Sequence, residues 1–287
     1  MDILDYAFMQ RALIAAALVG ITAPAIGTYL VQRRQALMGD GLGHVAMTGV
    51  ALGFVLQTSP VWMATLVAVV GAVGMELIRS RGRTSGDVAL AMLFYGGLAG
   101  GVMIINLGGG QTASLLGSMF GSITTVAAED VTAMAILAAF VLAVAIGLRR
   151  QLFAVCQDEE FARVTGLPVR ALNLLIAVTA AVTVTVAMRI VGLLLVSAML
   201  VIPVAAAQRL TRSFAATLGL AMAISVTVSL TGTAATYYIN VPSGATIVLL
   251  AIGVFMVMTA LSSPLARRRA RAARAAEEVC TRDDVKV

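Results

Sequence analysis

Charged positions in this chain are clustered, and long stretches between the clusters contain no Asp, Glu, Lys, Arg or His. Such stretches are residues 12–31, 88–128, 131–148, 171–188, 190–208 and 213–266. A bilayer is crossed by about 20 mostly apolar residues in a helix. Only a helix or a closed barrel satisfies its own backbone in hydrocarbon, and uncharged tracts this long without period-two alternation predict helices. The pattern divides into about nine spans, at 12–31, 36–56, 61–78, 88–107, 131–148, 171–188, 190–208, 214–238 and 245–262. Thr58-Ser59-Pro60 and Gly108-Gly109-Gly110 are turn signals between neighbouring spans. The predicted fold class is an all-α polytopic membrane protein.

The arginines set the threading. Arg33, Arg34, Arg79, Arg81, Arg83, Arg149, Arg150, Arg163, Arg170, Arg209, Arg212 and the cluster from Arg267 fall on one side of a nine-span chain, and only Arg11 and Arg189 on the other. By the positive-inside rule the amino terminus is outside and the carboxyl terminus cytoplasmic. Residues 112–128 are uncharged, but a crossing there would put Arg149 and Arg150 outside. A short re-entrant or surface-lying helix fits better, with Ser114, Ser118, Ser122, Thr124 and Thr125 in a half-wet setting. Residues 1–266 then make one transmembrane domain, followed by a basic cytoplasmic tail at 267–287.

Composition agrees with this picture. Of 287 residues, 60% are hydrophobic and 12% charged, against about 25% charged in a soluble domain. The net charge of +6 lies in membrane-flanking clusters, which argues against a nucleic-acid surface. MDILDYAFMQ is acidic and lacks the basic start of a cleavable signal. Cys156 and Cys280 fall in polar segments on the cytoplasmic side, where a structural disulfide is not expected.

Two stretches carry candidate chemistry. Residues 39–53, GDGLGHVAMTGVALG, hold the one histidine of the chain, His44, four residues after Asp40. On a helix the two share a face about 6 Å apart along the axis. A carboxylate oxygen with an imidazole nitrogen is a ligand set that divalent transition metals accept. Asp40 could instead favour a helix start, and His44 could make a polar packing contact. The spacings Gly39-x-x-x-Gly43 and Gly49-x-x-x-Gly53 let helices approach closely, which sets the pair beside a tight seam and favours a metal or proton role. The second stretch, residues 152–170, is the longest cytoplasmic connection. Asp158, Glu159, Glu160, Phe161 and Ala162, closed by Gly166, predict a short helix ending at glycine. Taken alone it reads as a solvated loop. Met199, Thr233 and Tyr237 are polarisable or polar groups better explained by packing. The LGGGQ of residues 107–111 has no accompanying GxxxxGK[ST] phosphate loop, so energy from ATP has to come through a partner.

The opening motif, with Gly39-Asp40, His44, Gly49 and Gly53, resembles the permease subunit of the manganese/zinc/iron class of ABC importers. Further stretches are similar to that family in the same order: Phe120-Gly121 before Glu129-Asp130, Met188-Arg189-Ile190-Val191-Gly192, Met199-Leu200-Val201-Ile202-Pro203 with Ala205-Ala206-Ala207, and Pro242-Ser243-Gly244-Ala245 after a tyrosine pair. The resemblance implies a homodimer of permeases, docked on a cytoplasmic ABC ATPase and supplied by an extracytoplasmic metal-binding protein. It assigns the transported metal to Asp40 and His44, with no permanently bound cofactor and no catalytic residue in this chain. It assigns Asp158, Glu159, Glu160, Phe161, Ala162 and Gly166 to the helix that couples to the ATPase. Ser122 stands where zinc-importing members carry an acidic residue. One Asp and one His suit manganese, zinc and iron alike. Two rival readings are a proton-coupled secondary metal transporter using Asp40 and a non-transporting scaffold. The expected lack of other buried acids argues against the proton-coupled one.

Overall fold

Lipid tails are as apolar as the side chains they surround, so helices in a bilayer associate through close packing and internal polar contacts rather than by escaping water. The arrangement of this chain follows from where its small residues lie. The computed structural model describes residues 6–80, 86–109, 128–239, 241 and 243–261. Among them the regular elements are helices: α1 (Ala7–Gln32), α2 (Met38–Val55), α3 (Pro60–Ser80), α4 (Gly86–Leu107), α5 (Ala128–Gly147), α6 (Arg149–Gln157), α7 (Glu159–Val164), α8 (Val169–Val191), α9 (Leu193–Leu210), α10 (Phe214–Ile239) and α11 (Ser243–Leu261). Of the segment 112–128 expected to be re-entrant or surface-lying, all but Ala128, which opens α5, lies outside the described residues, as do Ser122 and the tail at 267–287.

All nine expected spans coincide with helices, but the count of nine is not reached by length and apolarity. Six described helices are long and apolar enough to cross a membrane, or seven if α5 and α6, bent by 66°, form one broken span. For α2 the reason is its composition. Helix α2 has only 18 residues, and these include Asp40, His44 and five glycines. At 1.5 Å per residue it reaches about 27 Å. Helix α9 has 18 residues, and its boundary with α8 is shifted from the expected one. Arg189 belongs to α8, and the break falls at Gly192, whose φ of +83° suits glycine alone. Helix α6 was not foreseen either. Arg149 and Arg150 mark the end of a span in the sequence, yet they open an amphipathic turn that buries Leu152 and Val155.

Helices α1 and α8 form the centre, and α11 is the most exposed of the candidate spans. Helix α1 packs against α5, α8, α9 and α10, and α2 is held between α3 and α4 while touching α8 and α9. The α1 face that meets them is built from Ala15, Ala16, Val19, Gly20, Ala23, Ile26 and Gly27. A buried tyrosine on the same helix, Tyr29, donates its hydroxyl to the Ala145 carbonyl of α5 at 2.5 Å. The glycine spacing read in α2 works as expected. A Cβ on Gly49 would lie 2.5 Å from Ala64 Cα of α3, and one on Gly53 would lie 2.6 Å from Pro60 Cα.

Candidate functional site

Asp40 lies in the first turn of α2 and His44 one turn further along. The i,i+4 spacing brings His44 Nε2 to 3.9 Å from Asp40 Oδ1, beyond a hydrogen bond. A tetrahedral ion with ligand bonds of about 2.0–2.2 Å holds two ligand atoms about 3.4 Å apart. The observed gap is slightly wider, and Asp40, the more exposed partner, has the freedom to close it.

Three other helices shape this pair. Phe94 of α4 stands edge-on to the imidazole with ring centroids 4.2 Å apart. Gly97, one turn along α4, lies against the backbone of His44 and Val45. A Cβ there would fall 2.6 Å from Val45 N, so α4 reaches the site only because residue 97 is glycine. Thr48, one turn past His44, donates to the Gly97 carbonyl at 2.6 Å and locks the two helices together. From α9, Ser197 donates its hydroxyl to Asp40 Oδ1 at 3.4 Å. From α3, Ala64 and Ala68 are buried against the core cluster that includes Leu42 and Ala46 of α2.

His44 is 6% exposed, and its Nδ1 is buried with no hydrogen-bond partner. An unsatisfied buried polar atom costs about 1–3 kcal/mol, so the imidazole is not explained by packing alone. Among the described residues no group of three or more His, Cys, Asp or Glu side chains is arranged to hold a metal ion. The pair therefore offers two ligands and leaves the rest of a coordination shell open.

The second predicted stretch forms α7, and its sequence cues hold. Asp158 caps the helix, accepting from the backbone N–H groups of Glu160 at 2.9 Å and Phe161 at 3.0 Å. Gly166 ends it with φ +82°, where the Leu167 N–H reaches back to the Ala162 carbonyl at 3.0 Å. Ala162 is buried, Glu160 is exposed, and Phe161 and Val164 project outward at 63% and 88% exposure. Glu159 points the other way. Its Oε1 accepts from Arg33 at 3.1 Å, Arg79 at 2.8 Å and Asn173 at 3.1 Å. Arg79 also forks onto both oxygens of Glu76, at 2.8 and 3.0 Å.

Sequence reasoning missed this cluster, because Arg33 and Arg79 read as topology signals. The expectation of no further buried acid is also wrong: Glu76 is 4% exposed. It escapes the usual penalty of a buried carboxylate through its bidentate bond to Arg79. Ser197 and Phe94 were missed as well, though a lone serine in the apolar run 193–204 was a usable hint. Met199 and Thr233 are fully buried, and the Tyr237 ring lies beside those of Tyr6 and Tyr238.

Burial pushes the Glu159 carboxyl upward, but the hydrogen bond and charge of Arg79, the charge of Arg33 and the Asn173 amide outweigh it. They hold the group below its ordinary 4.5. A depressed folded-state value stabilises the protein above 4.5, and that contribution disappears as pH falls through the folded value. The thermal midpoint of the detergent-purified protein should therefore exceed that of Glu159→Gln at neutral pH, with the gap closing below pH 4.5. A gap that stays constant across the titration would contradict the charge assignment.

The model of the ABC 3 transport family matches residues 5–262. The manganese transport system membrane protein MntC of Halalkalibacterium halodurans is 32% identical over 254 residues, covering 88% of this chain and 87% of that protein. The chelated iron transport system membrane protein YfeD of Yersinia pestis is 30% identical over 253 residues, covering 88% and 84%. Among solved structures, PsaBC from Streptococcus pneumoniae in complex with Fab superposes with a TM-score of 0.79 at 30% identity, covering 89% of this chain and 92% of that one.

Proposed function

The chain belongs to the ABC 3 transport family, and from that premise we propose that it is the permease subunit of an ATP-driven importer of divalent manganese, iron or zinc. Relatives named for manganese and chelated-iron transport support the class of cargo. The observation that carries the reading is the Asp40–His44 pair between α4 and α9, a half-exposed carboxylate beside a buried imidazole with an unpartnered nitrogen. The cation is held transiently by Asp40 Oδ1 and a neutral imidazole nitrogen. Two protein ligands from one helix leave room for water, backbone carbonyls or the same residues of a second copy. A shell of this kind releases its ion, whereas a closed four-ligand site retains it. The ion is cargo, and this chain carries out no chemistry on it.

In this reading α1–α5 and α8–α11 all cross the membrane, giving nine spans with the amino terminus outside and the carboxyl terminus and basic tail in the cytoplasm. Residues 1–266 form the transmembrane domain and 267–287 the tail. The cytoplasmic end then carries α6, α7 and the arginines of the cluster. The exposed Phe161 and Val164 of α7 meet the partner ATPase, and an extracytoplasmic metal-binding protein delivers the ion to a homodimer of permeases.

The decisive experiment is uptake into proteoliposomes holding this chain with its ATPase, supplied with the binding protein and each metal in turn. Accumulation should require ATP and binding protein together. Uptake by the isolated chain, driven by a pH gradient without ATPase, would support the proton-coupled alternative instead.

A further inference from the structure

A docking helix moves an ion only if its displacement reaches the ligands, and among the described residues a polar junction is placed to do so. A single atom, Glu159 Oε1, accepts hydrogen bonds from three helices or their ends: Arg33 at the close of α1, Arg79 in α3 and Asn173 in α8. Arg33 also lies 3.9 Å from Glu76, which grips Arg79. Two positive and two negative charges make the cluster neutral. Its inner half is dry, with the Arg33 and Glu76 side chains 5% and 6% exposed, while Glu159 is 34% exposed. A cavity of about 700 Å³ opens beside Glu76, Arg79, Glu159 and Asn173, so the carboxylate has space into which to swing.

Charges paired at an open surface exert little hold on each other. Arg33 is different, because a desolvated guanidinium that loses its partner is strongly penalised. Helix α7 therefore cannot shift without drawing Arg33 and Arg79 along or separating buried charges. Arg33 caps α1, and four residues (34–37), with Arg34 at φ +58°, lead directly to the start of α2. Asp40 is the third residue of α2. Arg79 belongs to α3, which packs along α2.

We propose that Glu159 is a positioning residue that carries displacement of α7, through Arg33 and Arg79, to the α1–α2 turn and hence to Asp40 and His44. The proposal rests on the transport reading above. It differs from docking itself, for which the outward Phe161 and Val164 suffice. The carboxylate acts on the inner side of the helix, as the link between the docked surface and the ion.

The test compares wild type with Glu159→Gln in proteoliposomes containing the ATPase and the binding protein, with manganese as the probe. Three quantities are read: ATPase retained on purification, ATP hydrolysed and manganese imported per ATP. Glu159→Gln should keep the ATPase and hydrolyse ATP within about twofold of wild type, while manganese imported per ATP falls about tenfold, the size of an ordinary coupling energy. The double variant Arg33→Gln/Glu159→Gln leaves the neutral Arg79–Glu76 pair and should be no worse than the single, as expected of one unit. If Glu159→Gln does not accumulate, the double variant is judged by the same three quantities. An unchanged import-per-ATP ratio overturns the proposal, as does loss of the ATPase on purification, which would move Glu159 into the docking surface. Absence of ATP-dependent uptake by the wild type would instead reject the transport reading itself.

Discussion

His44→Ala should reduce metal uptake by the reconstituted complex to background while the protein still inserts and assembles with its ATPase. The two effects separate because the imidazole matters little to stability and much to the ion. Its Nδ1 makes no hydrogen bond, so truncation orphans no partner there. What is lost is the contact with the edge of Phe94, worth about 0.5–1.5 kcal/mol, and some packing. Tight association of α2 with α4 persists through Thr48 and Gly97. For the ion, the substitution removes one of the two side-chain ligands proposed among the described residues. Loss of groups that merely support a metal ligand costs about 10–100-fold in affinity, so loss of a ligand should exceed that. The measurement is radiolabelled manganese or zinc accumulation, paired with size-exclusion analysis of the assembled complex. Uptake near wild type in an assembled variant would remove His44 from the path and with it the observation on which the function rests.

The sequence made Asp40 and His44 visible because both lie on one helix, where spacing alone determines neighbours. It made α7 visible for a similar reason: Asp158 and Gly166 are the local chemistry of a helix start and stop. What it hid was every contribution from another helix. Ser197 reaches Asp40 across 157 residues and Asn173 meets Glu159 across a turn and a break. Glu76 was overlooked because one acid near a basic cluster resembles a solvated flank. Only its packing, with Arg79 folded back one turn onto it, shows that Glu76 is buried. The spans were legible as helices, but the boundary between α8 and α9 was not, since it depends on the positive-φ backbone at Gly192. No periodicity reports that backbone state. Arg189, read as the marker of that boundary, lies inside a helix.

Gly27→Ala should be the most destabilising single-methyl change in the central helices. A Cβ at residue 27 would overlap the Leu200 carbonyl oxygen and lie 2.8 and 2.9 Å from Leu200 C and Cα. These are backbone atoms of α9, so no rotamer change relieves the clash and the two helices must separate. Alanine in place of glycine normally favours a helix by about 0.5–1 kcal/mol, and overpacking of this kind costs about 1–3 kcal/mol or more. The clash wins. Gly219 of α10 provides the control, because a Cβ there meets nothing within 4 Å, and Gly219→Ala should show the helix gain alone. In detergent the Gly27 variant should lose about 5 °C in thermal midpoint while the Gly219 variant holds or rises. Function should fall with stability at residue 27, because α9 carries Ser197 to Asp40 and α1 ends at Arg33, so a wedge at their crossing displaces the ligand support and the ion cluster together. If Gly27→Ala and Gly219→Ala melted alike, α1 and α9 would not cross at this glycine, and the framework linking Arg33 to Asp40 and His44 would have to be redrawn.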